Sequence, residues 1–408
     1  MSGESKTGFT MNLNKRVLTI PTFITILTLL LSCNSSNNDS DSTIDQNDPR
    51  SYQHGVDFIK RSDGSYLLVW SSSGNPPIGE NFNGDWLHDV FYSTIDPKHP
   101  LITPETLISF PNAQEPVSSA INPNGHIMIT MEDSWRAQNE LSQTYAVYDE
   151  NLNPIKPYRN EVFEGGHSGH VSSVGNNFVV FYSEGWVDGG GVDNLGSGDN
   201  VLLNLYDSDG ELIETKDVAV GDADRDWWPL VTGSNRHALL AWQRFVKGKT
   251  SSILMFAVYN PLTNEWVKAA SEIAEGVKYY TYNIEFLDTI DRFLVSGSYE
   301  NGGGFSFLLS QEGDIISKNI ELPPIVREAQ PALKNVGNGV MKVVYPTMPN
   351  QLAVLSVSRS NITLEDVISV DHDWSIAGID GIFLRDNSMY FVSLLPTGLK
   401  EVYVDLSD

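Results

Sequence analysis

With 408 residues, 40% of them hydrophobic, the chain can bury a large core in one closed domain or in two ordinary ones. Its 52 acidic side chains against 26 basic ones leave a formal charge of −26, which argues against nucleic acid as a partner and against broad adhesion to anionic membranes. Cys33 is the only cysteine, so disulfides within the chain are excluded.

Lys15 and Arg16 precede an apolar run over 17–31 that ends in Leu31-Ser32-Cys33. A basic start, a short apolar stretch broken by Pro21 and a small residue before a cysteine read as a bacterial lipoprotein signal peptide, residues 1–33. The run is short for a membrane span. Residues 1–10 add nothing to that signal, so Met11 is an alternative start. A lipid on Cys33 would anchor the mature chain at the outer membrane, surface-exposed, without a spanning helix. Residues 34–51 are polar, acidic and almost free of apolar side chains, as expected of a flexible tether. Residues 52–408 are left as the folded domain.

From His54 onward one pattern returns seven times: an apolar-alternating strand, a Gly/Asn/Asp turn, a second strand ending in an aromatic, and a further outer strand. The repeats begin at His54-Gly-Val-Asp-Phe, Glu115-Pro-Val-Ser-Ser, His170-Val-Ser-Ser-Val, Trp228-Pro-Leu-Val, Tyr282-Asn-Ile-Glu-Phe, Gln330-Pro-Ala-Leu and Asp380-Gly-Ile-Phe. No long amphipathic helix interrupts them. Short strands at a spacing of roughly 50 residues predict an all-β chain, a seven-bladed β-propeller. A stack of β-sandwiches is the alternative. In the first blade, strands are expected near 55–60, 66–71, 89–95 and 104–110; in the third, near 170–175, 178–183, 200–206 and 211–219. The last repeat stops after its third strand, and the segment before His54 is expected to supply the missing outer one.

A propeller places the starts of its inner strands and the ends of its second strands around one mouth. The starts carry His54, Glu115, His167, His170, Arg225, Trp227, Trp228, Lys278, Tyr279, Tyr280, Tyr282, Arg327 and Gln330. The second-strand ends carry Trp70, Glu132 to Trp135, Glu184-Gly185-Trp186, Gln243-Arg244-Phe245 and Tyr299-Glu300. Arg225, Arg244, Lys278 and Arg327 would form a positive patch within an acidic shell, suited to an anionic ligand. Exposed Trp and Tyr suit stacking on sugar faces, or simply close blade interfaces. Trp227 and Trp228 are adjacent and cannot both face one layer of a regular strand. Gly165-Gly166-His167-Ser168-Gly169-His170 sets two imidazoles among glycines that permit close approach to a ligand. His88 is a further histidine that reads as structural.

The metal content is left unknown. The histidine pair lacks a third zinc ligand at familiar spacing. Asp222-Ala-Asp224-Arg-Asp226 and the stretch Asp188 to Asp199 offer oxygen ligands of the kind calcium takes, yet read better as solvated turns. A structural Ca²⁺ or Zn²⁺ is therefore possible, and no cofactor is required.

The strings HGVDF at 54–58, GGHSGHV at 165–171, FYSEGWVDGGGVDNLGSGDN at 181–200, RDWWPL at 225–230, WQRF at 242–245 and KYYTYN at 278–283 resemble the short ulvan lyases, polysaccharide lyase family 25 and more distantly family 24. The resemblance spans nearly the whole mature domain. It implies a seven-bladed propeller that cleaves ulvan, a sulfated rhamnose–uronate polymer of green algae, within a marine bacterium's polysaccharide-degrading system. β-Elimination of a uronate needs a base for the C5 proton, a cation that neutralises the carboxylate, and an acid for the departing O4. His167 or His170 with Tyr280 or Tyr282 suit the base and acid, and Arg244 or Arg225 the neutraliser. Arg225, Trp227, Trp228, Tyr279, His54, Lys278 and Arg327 are expected to bind substrate. The partner expected is anionic ulvan, and the chain is expected to act as a monomer. Two other classes compete: a non-catalytic glycan-binding lipoprotein, and a propeller glycoside hydrolase using carboxylates among Glu115, Glu132, Asp133 and Glu184. A protein scaffold is also compatible with the fold.

Overall fold

The computed structural model describes residues 48–77, 87–137, 140–184, 200–221, 224–246, 248–385 and 388–405, with backbone alone at 134–137 and at 140. The described strands form seven antiparallel sheets in sequence order, six of four strands and one of three. Their first strands, Gln53–Lys60, Glu115–Ile121, His167–Val174, Asp224–Gly233, Val277–Leu287, Ala332–Gly337 and Ile379–Phe383, are the inner strands of blades 1 to 7. The chain is a seven-bladed β-propeller. Blade 1 (Gln53–Lys60, Tyr66–Ser72, Asp89–Ile95, Glu105–Ile108) and blade 3 (His167–Val174, Asn177–Ser183, Val201–Tyr206, Leu212–Ala219) keep the expected strands to within a few residues.

The turn residues act as their chemistry dictates. In Asp207-Ser-Asp-Gly210, Asp207 Oδ1 accepts from the amides of Asp209 at 2.9 Å and Glu211 at 2.8 Å, which reverses the chain between two strands of blade 3. Second strands are covered on both faces and so read as continuous apolar runs. In blade 1, Leu67 and Val69 pack toward blade 2, whereas Leu68 and Trp70 pack toward blade 7.

Seven apolar clusters result, one at each blade interface. The ring closes through the one between blades 7 and 1, where Tyr390, Val392 and Leu394 meet Val56, Leu68 and Trp70. The expected outer strand for blade 7 does not come from the described residues before His54. Pro49–Ser51 form a 3₁₀ turn capped by Asp48, because Pro49 has no amide to give a ladder. This turn also ends the expected tether early, since Arg50 and Ser51 are buried in the domain. Residues 1–47, with Cys33, lie outside the described residues. Fully burying one large apolar side chain is worth about 1.5–3 kcal/mol, against about 1 kcal/mol for a ladder hydrogen bond. Among the described residues, the ring therefore closes through an apolar interface and not through a shared strand.

The inner strands depart from regular pleating where they start. Register shifts interrupt them between His54 and Val56, Glu115 and Ser118, His167 and His170, Trp227 and Leu230, and Val277 and Tyr282. Left-handed residues sit at matching places: Gly55 (φ +79°), Ser168 (+53°), Trp228 (+57°), Tyr280 (+48°) and Glu328 (+54°). At Gly55 the backbone of blade 2 comes so near that a Cβ would lie 2.7 Å from the Val117 amide nitrogen. Bulges of this kind re-aim side chains and are common beside functional sites. Here they turn neighbouring residues of five strands toward one mouth.

Candidate functional site

His54 stands at the mouth between two carboxylates from other blades. Its Nδ1 pairs with Glu115 Oε2 of blade 2, and its Nε2 lies 3.0 Å from Glu328 Oε2, on the segment leading into blade 6. Burial alone would lower the imidazole's pKa, but the charges of Glu328 and Glu115 outweigh it and raise it to about 10. In return, burial of Glu328 is overcome by His54 and Arg327, which hold its carboxyl down to about 2. Glu115 is likewise held below its ordinary range, mainly by His54 acting against burial.

Beside this clasp, the strand of blade 3 delivers His167. Its Nδ1 lies 2.5 Å from Ser168 Oγ and its Nε2 3.5 Å from Glu132 Oε2, while Glu132 Oε1 accepts from the Ser168 amide at 2.6 Å. Burial pushes the His167 pKa down to about 3, with the Arg225 charge adding to the effect. The ring is therefore a neutral base throughout the neutral range. Ser168 is only 3% exposed, so its hydroxyl orients the ring and does not serve as an exposed nucleophile. The His167 ring is 5.2 Å from Trp227, and the Arg225 guanidinium lies 4.0 Å from the centre of that indole. Arg225 is almost wholly buried against it.

Trp227 and Trp228 are both buried in the cluster between blades 4 and 5, whereas in a regular strand they would face opposite layers. The left-handed turn at Trp228 swings its indole onto Tyr280, and the two rings stack at 4.2 Å. The buried Trp228 Nε1–H has no hydrogen-bond partner among the described residues. Arg327 lies 5.1 Å from the Tyr280 ring centre and 5.9 Å from that of Tyr279. Tyr282 is differently engaged: its hydroxyl donates to the Trp228 carbonyl, and burial raises its pKa well above the ordinary phenol value. His170 is also tied to backbone, with Nδ1 3.1 Å from the Ser168 carbonyl, and burial lowers its pKa. Among these groups an opening between the inner strands is lined by Asp57, His170, Tyr280, Tyr282, Glu328 and Gln330 among others.

The structure thus brings together His54, His167, His170, Arg225, Trp227, Trp228, Tyr279, Tyr280, Tyr282 and Arg327. It sets two expected residues apart. Arg244 makes a two-pronged ion pair with Asp226, Nε to Oδ1 at 2.8 Å and Nη2 to Oδ2 at 2.9 Å, and Trp242 Nε1 donates to the same carboxylate at 2.6 Å. Lys278 points to solvent. Asp226 is spent on this pairing, and Asp222 and the stretch Asp188 to Asp199 lie outside the described residues. Among the described residues no group of three or more His, Cys, Asp or Glu side chains is arranged to hold a metal ion. His88, just before the third strand of blade 1, is fully buried, and its carbonyl accepts from the Gln114 amide at 2.8 Å.

Sequence reasoning passed over Glu328 and set Glu115 aside as a hydrolase acid. It also missed three carboxylates lower in the channel. Asp57 Oδ2 accepts from the Ser119 amide of blade 2 at 2.5 Å, and Asp380 Oδ2 accepts from the Phe58 amide of blade 1 at 2.6 Å. Burial raises Asp57 to about 6 and Glu285 to about 8. The available signal was an acid recurring within the inner-strand motifs of blades 1, 5 and 7 (HGVDF, YNIEF, DGIF). Two of the three join neighbouring blades.

Compared by sequence, the chain matches no family model and no curated protein. Solved structures do resemble it. The polysaccharide lyase Uly1 aligns over 87% of this chain and 90% of its own, with 9% identity and a TM-score of 0.52. The WD40 domain of Toxoplasma gondii coronin aligns over 86% of this chain and 80% of its own, with 7% identity and a TM-score of 0.52. Penicillium chrysogenum α-L-arabinanase covers 89% of this chain and 97% of its own, with 10% identity and a TM-score of 0.50. These likenesses establish the propeller fold. At such identities they speak for the fold alone, and chemistry must be argued from the mouth of the funnel.

Proposed function

We propose that this propeller is a carbohydrate-active enzyme, a polysaccharide lyase that cleaves ulvan by β-elimination and leaves an unsaturated uronate end. The observation that carries the reading is His167, a buried imidazole kept neutral beside Arg225 at a mouth also lined by Tyr280 and Arg327. A neutral base next to fixed guanidinium charge is what abstraction of a proton alpha to a carboxylate requires. Within the pairs left open by the sequence, His167 is favoured as base and Tyr280 as acid, because Tyr282 and His170 are committed to backbone carbonyls. Arg225, packed on Trp227 near His167, or Arg327, shared with Glu328 and lying against Tyr280, would neutralise the uronate carboxylate. Trp227, Trp228 and Tyr279 would shape the sugar-binding wall. Occurrence of a polysaccharide lyase and an arabinanase among the similar propellers agrees with a carbohydrate substrate.

A hydrolase reading is less well supported. Glu115 and Glu328, the carboxylates flanking His54 at the mouth, are both held below their ordinary range, so neither carries the proton that a hydrolase acid must donate. Anchoring of the mature chain to the outer membrane through a lipid on Cys33, and action as a monomer, complete the proposal.

The deciding experiment is digestion of ulvan by the purified chain lacking residues 1–33, followed by ultraviolet absorbance. A rising unsaturated-uronate chromophore is expected, and His167→Ala should abolish it. Saccharide binding without a chromophore would replace the lyase with a glycan-binding protein.

A further inference from the structure

The clasp at the mouth has a second consequence, which rests on the lyase reading for its kinetic part. Glu328 divides its carboxylate between two cations: Oε2 faces His54 Nε2 at 3.0 Å, and Oε1 accepts from Arg327 Nε at 2.9 Å. Arg327 in turn lies against Tyr280 and Tyr279. The Glu328 backbone is held in the left-handed region at φ +54°, a conformation that costs a side-chain-bearing residue and persists only where its surroundings enforce it. They do so here from blade 7. The Ile379 amide donates to the Glu328 carbonyl at 3.1 Å, and the Gln330 amide donates to the Ile379 carbonyl at 2.8 Å. The carboxylate is thus fixed by a different blade from those of the two groups it binds to its front, His54 of blade 1 and the blade 5 tyrosines reached through Arg327.

We infer that Glu328 is a positioning residue: it aims the Arg327 guanidinium across Tyr280 at the funnel mouth and ties that aim to the charged state of His54. The groups facing this network are Glu115 from blade 2, His167 and His170 from blade 3, Arg225 from blade 4, Asp48 and Arg50 at the 3₁₀ turn, and His88, which acts on Glu115. Of these, Glu115 alone shares His54 with Glu328. Removing the Glu328 charge therefore leaves the imidazolium with one carboxylate partner in place of two, and Arg327 with an uncharged one. Arg327 keeps its own charge at every pH of interest, so what changes is its direction and not its protonation.

The test compares Glu328→Gln, which keeps the shape and one acceptor oxygen, with Arg327→Lys and with the double variant, on ulvan. Each single variant is expected to lower kcat by about 10-fold or more, with KM moved by less than about 3-fold, as for a group that acts through alignment. The alkaline limb of the Glu328→Gln profile should move to lower pH, because His54 gives up its proton sooner. The double variant should be no worse than the poorer single one, since both remove the same aim. Independent losses that multiply in the double variant, or a uniform drop in kcat with an unmoved pH profile, would overturn the inference. Histidine ¹⁵N resonances give a readout that needs no turnover: His54 should remain doubly protonated under mildly alkaline conditions in the unaltered chain and titrate at lower pH in Glu328→Gln. An unaltered chain that gives no chromophore from ulvan would sink the lyase reading, and an unmoved His54 resonance would sink the clasp.

Discussion

Trp228 and Tyr280 stack at 4.2 Å across blades 4 and 5, and both hold a left-handed backbone to do so. Neither conformation is comfortable for a large side chain, so packing must compensate for a cost of about 1–3 kcal/mol at each. Tyr280→Phe keeps the stack and removes the hydroxyl. We expect a stability loss of about 1 kcal/mol or less and a fall in ulvan turnover of about 100-fold, read by thermal unfolding and by chromophore release. Turnover near that of the unaltered chain would move the acid role to another group.

Trp228→Ala attacks the same pair from the other side. It leaves a cavity in the cluster between blades 4 and 5, and an expected destabilisation of about 3–5 kcal/mol should appear in a denaturant titration. A much smaller loss would mean that the wall repacks around the gap.

The two mouth histidines should give stability opposite dependences on pH. His54 has a folded pKa of about 10 against an ordinary 6.5, so its contribution is complete below about 6.5 and drains away as pH rises through about 10. His167 has a folded pKa of about 3, so its contribution is present above about 6.5 and is lost as pH falls toward 3. Melting temperature against pH should therefore flatten on the alkaline side in His54→Gln and on the acid side in His167→Gln. Unchanged slopes in both variants would refute the charge states assigned to the two rings.

Lower in the channel, Asp57 carries a pKa raised by burial to about 6 while it accepts from Ser119. A raised carboxyl contributes most below its unfolded value and becomes a cost as pH climbs through 6. Asp57→Asn keeps an acceptor for Ser119 and discards the charge. It should stabilise the fold relative to the unaltered chain above about pH 6, with the advantage shrinking under acid conditions, as judged by paired unfolding curves.

Gly233→Ala examines the seam between blades 3 and 4. A Cβ there would run into the Ser173 carbonyl, which is backbone and cannot rotate away. Overpacking of about 3 kcal/mol is expected, visible as a lowered denaturation midpoint with an unchanged slope.

The repeat was legible because its causes are local. Apolar runs of strand length, Asx turns such as that at Asp207, and the shortage of any helical period together specify seven small sheets that must cover one another. The residue types of the mouth were legible for the same reason, since every blade begins at the same point of the repeat. Legibility failed where long-range geometry intervenes. The shift from Trp227 to Leu230 cannot be read from a period of two, because the bulge is imposed by neighbouring blades and by a left-handed turn that the side chain itself disfavours. Arg244 and Arg225 look alike along the chain. One meets Asp226 on its neighbouring strand, whereas the other is buried against Trp227 beside His167.

Sequence alone therefore determined the number of blades, the side of the ring on which unlike residues collect, and the kinds of side chain gathered there. Tertiary structure decided which of them work together. His54, Glu115 and Glu328 come from blades 1 and 2 and the segment leading into blade 6, 61 and 274 residues apart along the chain, and meet only because the ring closes. Their charge states follow from that meeting. An imidazole alone in the same burial would have lost its proton, and two carboxylates in its place keep it.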